Sequence, residues 1–348
     1  MTPSRDDLRR GASGERDTRG PNHDAAPLVE ARGLRKAFRS RSAWGARGAV
    51  VRAVNGVDLD IGRGETVGLV GESGSGKSTL GRLLIRLLEP DAGIIRYDGI
   101  DLLDCQGSEL RKLRRYFQIV FQDPYGSLNP RMRVGTAIGE PLTIHKLVSS
   151  RTERRARVAE LLRQVGLDPA SATKYPHEFS GGQRQRIGIA RAIACQPRFI
   201  VADEPVSALD PPVQAQIINL LVELQESLGL SYLFIAHDLT IVEHICDRVA
   251  VMYLGRIVEE APAAELYANP QHPYTQALLA SAPGTEPGEP TPPALSGEPP
   301  SATSPPPGCP FHPRCPVAEP VCSRTQPRLM ETARRNKVAC HLVHPPAE

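Results

Sequence analysis

Unbroken apolar runs of strand length punctuate this chain: Val67-Gly68-Leu69-Val70, Phe199-Ile200-Val201-Ala202 and Tyr232-Leu233-Phe234-Ile235-Ala236. A run without polar alternation suits a strand buried on both faces of its sheet. Between the last two, Val213, Ile217, Leu220, Leu221, Leu224 and Leu228 recur at helical spacing and predict an amphipathic helix. Ile94 to Tyr97 and Ile119 to Phe121 predict short strands, with a charged helix from Glu109 to Arg115 between them. Strands alternating with helices imply a mostly parallel α/β core. Looser alternation marks two more strands. Val54, Val57, Leu59 and Ile61 lead through Gly62-Arg63-Gly64 into the first apolar run, and Leu28 to Phe38 reads as an edge strand. Residues 125–180 are helical in character, above all Arg151 to Val165, and predict a separate lobe.

Composition sets the ends of this core. Residues 1–27, rich in Arg, Asp, Gly and Pro, predict a disordered tail, leaving a main domain over 28–280. Of the 33 prolines, ten lie between Pro283 and Pro307, so 281–308 reads as a linker before a cysteine-bearing module at 309–348. A net charge of +3 gives no case for nucleic acid, and no apolar run reaches the roughly 20 residues of a membrane span. The N-terminus carries charges of both signs and no apolar stretch, so a cytosolic chain is expected. Arg39 to Arg52 is a basic, glycine-containing excursion with the only tryptophan, Trp44, while Arg111, Lys112, Arg114 and Arg115 and the arginines at 151–157 read as solvated faces rather than binding patches.

The first apolar run ends in Gly71-Glu72-Ser73-Gly74-Ser75-Gly76-Lys77-Ser78-Thr79, followed by a predicted helix to Leu88. This is the G-x4-G-K-[ST] phosphate loop in its strand–turn–helix setting. Glycines allow the tight turn, and successive N–H groups and the helix N-terminus converge on one place. Lys77 brings positive charge for β- and γ-phosphates, and the Ser78 hydroxyl is a candidate Mg²⁺ ligand. The chain is therefore expected to bind a nucleoside triphosphate. Asp203-Glu204 follows the run Phe199–Ala202, at the strand end where α/β sheets place ligands. Asp203 is the expected Mg²⁺-shell carboxylate, and Glu204 the group that orients or deprotonates an attacking water.

Phe179-Ser180-Gly181-Gly182-Gln183, about twenty residues before Asp203, precedes a predicted helix from Arg184 to Ala194 and makes a second anion-binding terminus. One γ-phosphate needs only one such site, so the second is expected to face a partner's nucleotide. With this motif behind a phosphate loop, the chain resembles the ATP-binding cassette superfamily, whose cassettes pair head to tail with each nucleotide between one phosphate loop and the opposite signature. The resemblance implies a P-loop NTPase core with a mixed sheet, a helical subdomain and a small cysteine-containing C-terminal extension. It assigns Gln122 to the Mg²⁺-sensing loop that passes movement to membrane subunits, Ser207 to Asp210 to the dimer interface and His237 to the γ-phosphate. Phe38 takes the place of the adenine-stacking aromatic, although a core-facing strand aromatic would look the same.

Further stretches are similar to the ATPase subunits of oligopeptide/dipeptide permeases: Phe121 to Met132, Tyr175 to Phe179, Met252 to Gly255, His272-Pro273-Tyr274-Thr275, Leu295 to Glu298 and Arg314-Cys315-Pro316. That likeness implies a second ATPase subunit in a heterodimer, two transmembrane permease subunits and an extracytoplasmic peptide-binding protein. It also places the chain peripherally on the cytoplasmic face of the membrane. Nickel or glycoside import is the alternative within transport. A soluble cassette acting on DNA or ribosomes is disfavoured, since neither a long coiled-coil insertion nor a second cassette is present. Pro211-Pro212 depart from the family's usual Val-Ser, with Asp210 expected to cap the following helix.

Of seven cysteines, Cys105, Cys195 and Cys246 stand alone and read as ordinary thiols. Cys309, Cys315, Cys322 and Cys340 are spaced C-x5-C-x6-C-x17-C, wider than common zinc motifs. In the permease family such a set is associated with a [4Fe–4S] cluster. Zinc and unligated thiols are the other readings. The module lies outside every ATP motif in sequence, so a structural or regulatory role apart from hydrolysis is expected.

Overall fold

The computed structural model describes residues 26–39, 49–281, 297–298, 300–332, 334 and 336–345. The expected N-terminal tail lies almost wholly outside these residues, as do most of the basic excursion with Trp44 and most of the proline-rich linker. Among them are twelve strands: β1 (Val29–Arg39), β2 (Val50–Ile61), β3 (Thr66–Val70), β4 (Ala92–Tyr97), β5 (Ile100–Asp101), β6 (Phe117–Val120), β7 (Phe199–Asp203), β8 (Ser231–Ile235), β9 (Arg248–Tyr253), β10 (Arg256–Pro262), β11 (Met330–Glu331) and β12 (Lys337–Val338).

The three unbroken apolar runs are β3, β7 and β8, and every residue in them is buried. They form the parallel centre of one sheet ordered β11-β12-β10-β9-β3-β8-β7-β6, antiparallel only from β9 outward. A second, antiparallel sheet runs β2-β1-β4-β5. Here the expectation for Leu28 to Phe38 is corrected: β1 is paired on both sides, because β4 joins it through Val29↔Tyr97 and Ala31↔Ile95. Alternation alone says that one face is buried, not whether a neighbour lies on each side.

One face of the core sheet meets the antiparallel sheet and the helix Lys77–Leu84, burying Leu59, Ile61, Leu69, Leu80, Val201 and Leu233. The other face carries Pro211–Leu228, whose Ile217, Leu220, Leu221 and Leu224 are buried as the periodicity requires. Pro211 and Pro212 occupy its first turn, where their missing N–H groups cost no helical bond. Asp210 stands at the N-cap but makes no side-chain cap bond, contrary to the expectation for it. The helical lobe is built by Val134–Ile144, Arg151–Gln164 and Gly181–Ile193, sharing Ile138, Leu142, Leu161, Leu162 and Ile187. The Ser150 hydroxyl starts the middle helix by accepting from Glu153 N at 3.0 Å.

The C-terminal module continues the core sheet. β12 pairs with β10 through Glu259↔Val338 and Glu260↔Lys337, and β11 follows β12. Among the described residues no helix is long and apolar enough to cross a membrane.

Candidate functional site

Gly71 to Gly76 link the buried end of β3 to the Lys77–Leu84 helix, and neighbouring strands leave no room for side chains at two points. A Cβ on Gly71 would lie 2.1 Å from Met252 O, and one on Gly76 2.0 Å from Ala53 O. Both glycines also have positive φ, at 147° and 107°. The loop is thus wedged between β2 and β9, so its N–H groups hold their direction.

Inside this turn Lys77 is buried, at 5% exposure, and its ammonium donates to Gly71 O at 2.7 Å and Glu72 O at 2.9 Å. Burial lowers its pKa, opposed by the charges of Glu204, Asp203 and Glu72. The neighbouring Ser75 hydroxyl is buried without a hydrogen-bond partner. A buried cation on carbonyls and an orphaned hydroxyl in one glycine turn fit an incoming polyphosphate.

The acidic pair stands opposite. Asp203 is 1% exposed at the end of β7 and accepts from the Ser78 hydroxyl at 2.7 Å, with Arg82 Nη2 at 3.5 Å. A hydroxyl and a carboxylate joined in this way are suited to share a Mg²⁺ shell. Glu204, one residue on, has φ of 47°, an uncommon conformation for a non-glycine residue and one found at functional sites. Its carboxylate accepts from Gln122 Nε2 at 2.8 Å and lies 3.7 Å from His237 Nδ1. Gln122 follows β6 and His237 follows β8, so three adjacent parallel strands deliver the three side chains. His237 and Gln122 are exposed. The cluster faces solvent with a carboxylate able to accept a proton from water, oriented by an amide and an imidazole.

Phe38 lies on β1 at 41% exposure, which removes the core-facing alternative. Lys36 Nζ lies 5.9 Å from the centre of its ring.

Ser180 to Gln183 are placed elsewhere. The Ser180 hydroxyl accepts from Gln183 N at 3.3 Å, while Gln183 Oε1 accepts from Ser180 N at 3.0 Å: a capping box at an exposed helix start. Gly182 is buried because a Cβ there would lie 2.3 Å from Val213 Cγ1 on the next helix. Gly181 similarly faces Leu209, at 3.3 Å. These contacts are internal to the signature helix and its neighbours, and none is with the phosphate loop. The signature motif and the phosphate loop thus make no such contact within one chain.

The four tail cysteines converge, lining one cavity of about 10 Å³ with His272, Phe311, His312 and His341. Burial pushes the Cys309 thiol up to about 11 and raises Cys315 and Cys340 as well. Four soft donors on one cavity are a fitting set for a thiolate-bound centre. Yet among the described residues no group of three or more His, Cys, Asp or Glu side chains has metal-holding geometry.

Although its residues lie outside every ATP motif in sequence, the module touches the phosphate loop in space. Arg314 Nη1 and Nη2 donate to the Glu72 carboxylate at 2.9 and 3.0 Å, and Glu72 N donates to the Tyr274 hydroxyl at 2.9 Å. No local motif marks these partners, which lie more than two hundred residues from the loop. His272 to Thr275 and Arg314-Cys315-Pro316 were legible only as family resemblance.

A family model described as ABC transporter matches residues 54–207, and one described as oligopeptide/dipeptide transporter, C-terminal region, matches 258–322. The oligopeptide transport ATP-binding protein AppF of Bacillus subtilis is 52% identical over 322 residues, covering 90% of this chain and 97% of that protein. The chain belongs to the ATP-binding cassette family. Among solved structures, the cassette MJ0796 as a post-hydrolysis dimer bound to ADP and Pi is 31% identical, with a TM-score of 0.60 over 68% of this chain and 99% of that one. The cbiO1 cassette of Clostridium perfringens, part of a cbiONQ transporter complex, is 30% identical at the same TM-score, over 70% and 92%. As a cassette ATPase the chain binds and hydrolyses ATP for a transporter.

Proposed function

We propose that this chain is the ATP-hydrolysing subunit of a peptide importer, lying peripherally on the cytoplasmic face of the membrane and paired with a second cassette beneath two permease subunits. Support for the ATPase role rests above all on the convergence of Gln122 and His237 on Glu204, beside the Ser78–Asp203 bond. Support for the peptide cargo comes from the C-terminal family match and from relatives such as AppF. An external binding protein would deliver the peptide.

In this reading Lys77 leaves the carbonyls of Gly71 and Glu72 for the β- and γ-phosphates, and Phe38 stacks on the adenine. Ser78, Asp203 and Gln122 hold Mg²⁺, which when bound neutralises charge developing on the phosphates. Glu204 takes a proton from the attacking water, Gln122 and His237 fix its direction, and His237 senses the γ-phosphate. Ser180 to Gln183 supply the partner cassette's nucleotide with N–H donors, consistent with their exposed helix start. Cys309, Cys315, Cys322 and Cys340 would hold an iron–sulfur centre as a staple for the module, outside every chemical step. That assignment draws on the convergence of four cysteines on one cavity.

The test is ATP-driven uptake. Purified with its co-isolating membrane subunits and placed in vesicles, the wild-type complex should import labelled oligopeptide on addition of the binding protein and Mg-ATP. Transport of nickel or a glycoside without peptide would replace the cargo assignment and leave the ATPase reading standing.

A further inference from the structure

Every polar group of Glu72 in the phosphate loop is held. Its carbonyl accepts from Lys77 Nζ at 2.9 Å, its N–H donates to Tyr274 Oη at 2.9 Å, and its carboxylate takes both terminal nitrogens of Arg314. Only the first partner belongs to the strand–loop–helix unit. Tyr274 lies in the helix Pro273–Ala280, which His272 starts by accepting from Tyr274 N through Nδ1 at 3.0 Å.

Arg314 belongs to the cysteine module itself. It ends the 3₁₀ turn His312–Arg314, which is strung between two cysteines: His312 N donates to Cys309 O at 3.1 Å, and Cys315 N donates to His312 O at 3.3 Å. Phe311, in the same turn, packs with ring centres 5.4 Å from both Tyr253 and Tyr274. Arg314 also donates to the Tyr253 hydroxyl at 3.4 Å, and its side chain is only 5% exposed. A guanidinium so enclosed is expensive to leave without its carboxylate, and a two-pronged pair fixes direction as well as distance. The loop therefore cannot rearrange around Glu72 without disturbing the module, nor the module without disturbing the loop.

We infer that Arg314 is a positioning residue for the phosphate loop, through which the four-cysteine module sets the nucleotide affinity of its own cassette. The inference deepens the ATP-site reading above and rests on it. Because Glu72 lies inside the loop that must present its N–H groups to the phosphates, tilting this residue misplaces the N–H groups beside it. Coupling between sites is reciprocal, so nucleotide in the loop must also tighten the module.

The experiment uses the full-length chain and calorimetric binding of ATP and ADP to wild type, Lys77→Ala, Arg314→Gln, Arg314→Lys, Glu72→Gln and the Arg314→Gln/Glu72→Gln double variant. Each Gln variant should bind about tenfold more weakly, as for loss of charged hydrogen bonds. The double variant should be no worse than the weaker single, and Arg314→Lys should recover part of the loss. In wild type, ADP should slow amide exchange across residues 309–324, and Glu72→Gln should abolish that slowing. If Arg314→Gln destabilises the module, Glu72→Gln cuts the same pair while leaving every module residue in place. Affinities within twofold of wild type for both single variants, fully additive losses, or exchange in the module indifferent to ADP would overturn the inference. Wild type that binds no better than Lys77→Ala would overturn the ATP-site reading first, and this inference with it.

Discussion

Glu204→Gln isolates the proton-accepting step. The side chain keeps its length and volume, and its remaining carbonyl oxygen can still accept from Gln122 Nε2, as Glu204 does at 2.8 Å. Backbone cost is unchanged, because glutamine meets the φ of 47° as glutamate does. Asp203 and Glu72 still face Lys77, so the ammonium keeps two of its three carboxylate neighbours. What disappears is a basic oxygen beside the attacking water. Loss of a positioned base costs about 10²-fold or more, or roughly 2.7 kcal/mol of barrier at the lower figure. ATP hydrolysis by the assembled transporter should fall by that factor, while equilibrium ATP binding stays within about threefold. Blocked release should also leave a nucleotide-bound cassette dimer that size-exclusion chromatography resolves. Near-normal turnover would refute the role of Glu204 and shift the proton acceptor to solvent or phosphate. Weakened ATP binding with proportionate loss of turnover would refute the separation of binding from chemistry.

Gly76→Ala should abolish nucleotide binding while leaving the β3–β8 core folded, since the added carbon lands 2.0 Å from Ala53 O; titration with a fluorescent ADP analogue alongside a thermal melt checks both halves. In a mixed dimer, Ser180→Arg in this chain should silence the site whose phosphate loop belongs to the other cassette, and loss confined to this chain's own Lys77 site would reject head-to-tail pairing. Anaerobically purified protein should be brown, with iron and acid-labile sulfide at about four each per chain as a Cys₄ cubane requires. Cys315→Ser should bleach it and, because Cys315 adjoins Arg314, also weaken nucleotide binding. About one zinc per colourless chain would reject the cluster.

The phosphate loop, the acidic pair after β7 and the histidine after β8 were readable because each depends on a local pattern. A buried parallel strand must be continuously apolar, and chemistry at its end occupies the next one or two positions. Local too are the Ser180–Gln183 capping box and the proline-tolerant start of the Pro211–Leu228 helix. Partnership across the chain is not written this way. That β1 has neighbours on both sides depends on β4, some sixty residues away, choosing it. Nothing in Gly182 announces that its missing side chain makes room for Val213, because a glycine pattern records that space is needed and not what fills it. The sequence by itself determined that buried strands end in a glycine-rich loop, a glutamine, an acidic pair and a histidine, because each of these sits in the positions next to an apolar run. Only the tertiary structure decided that the tail belongs to that site. β12 adds to the core sheet beside β10, and Arg314 then meets Glu72 across 242 residues. Long-range pairing of a buried charge follows from the packing of whole elements, which no short motif encodes.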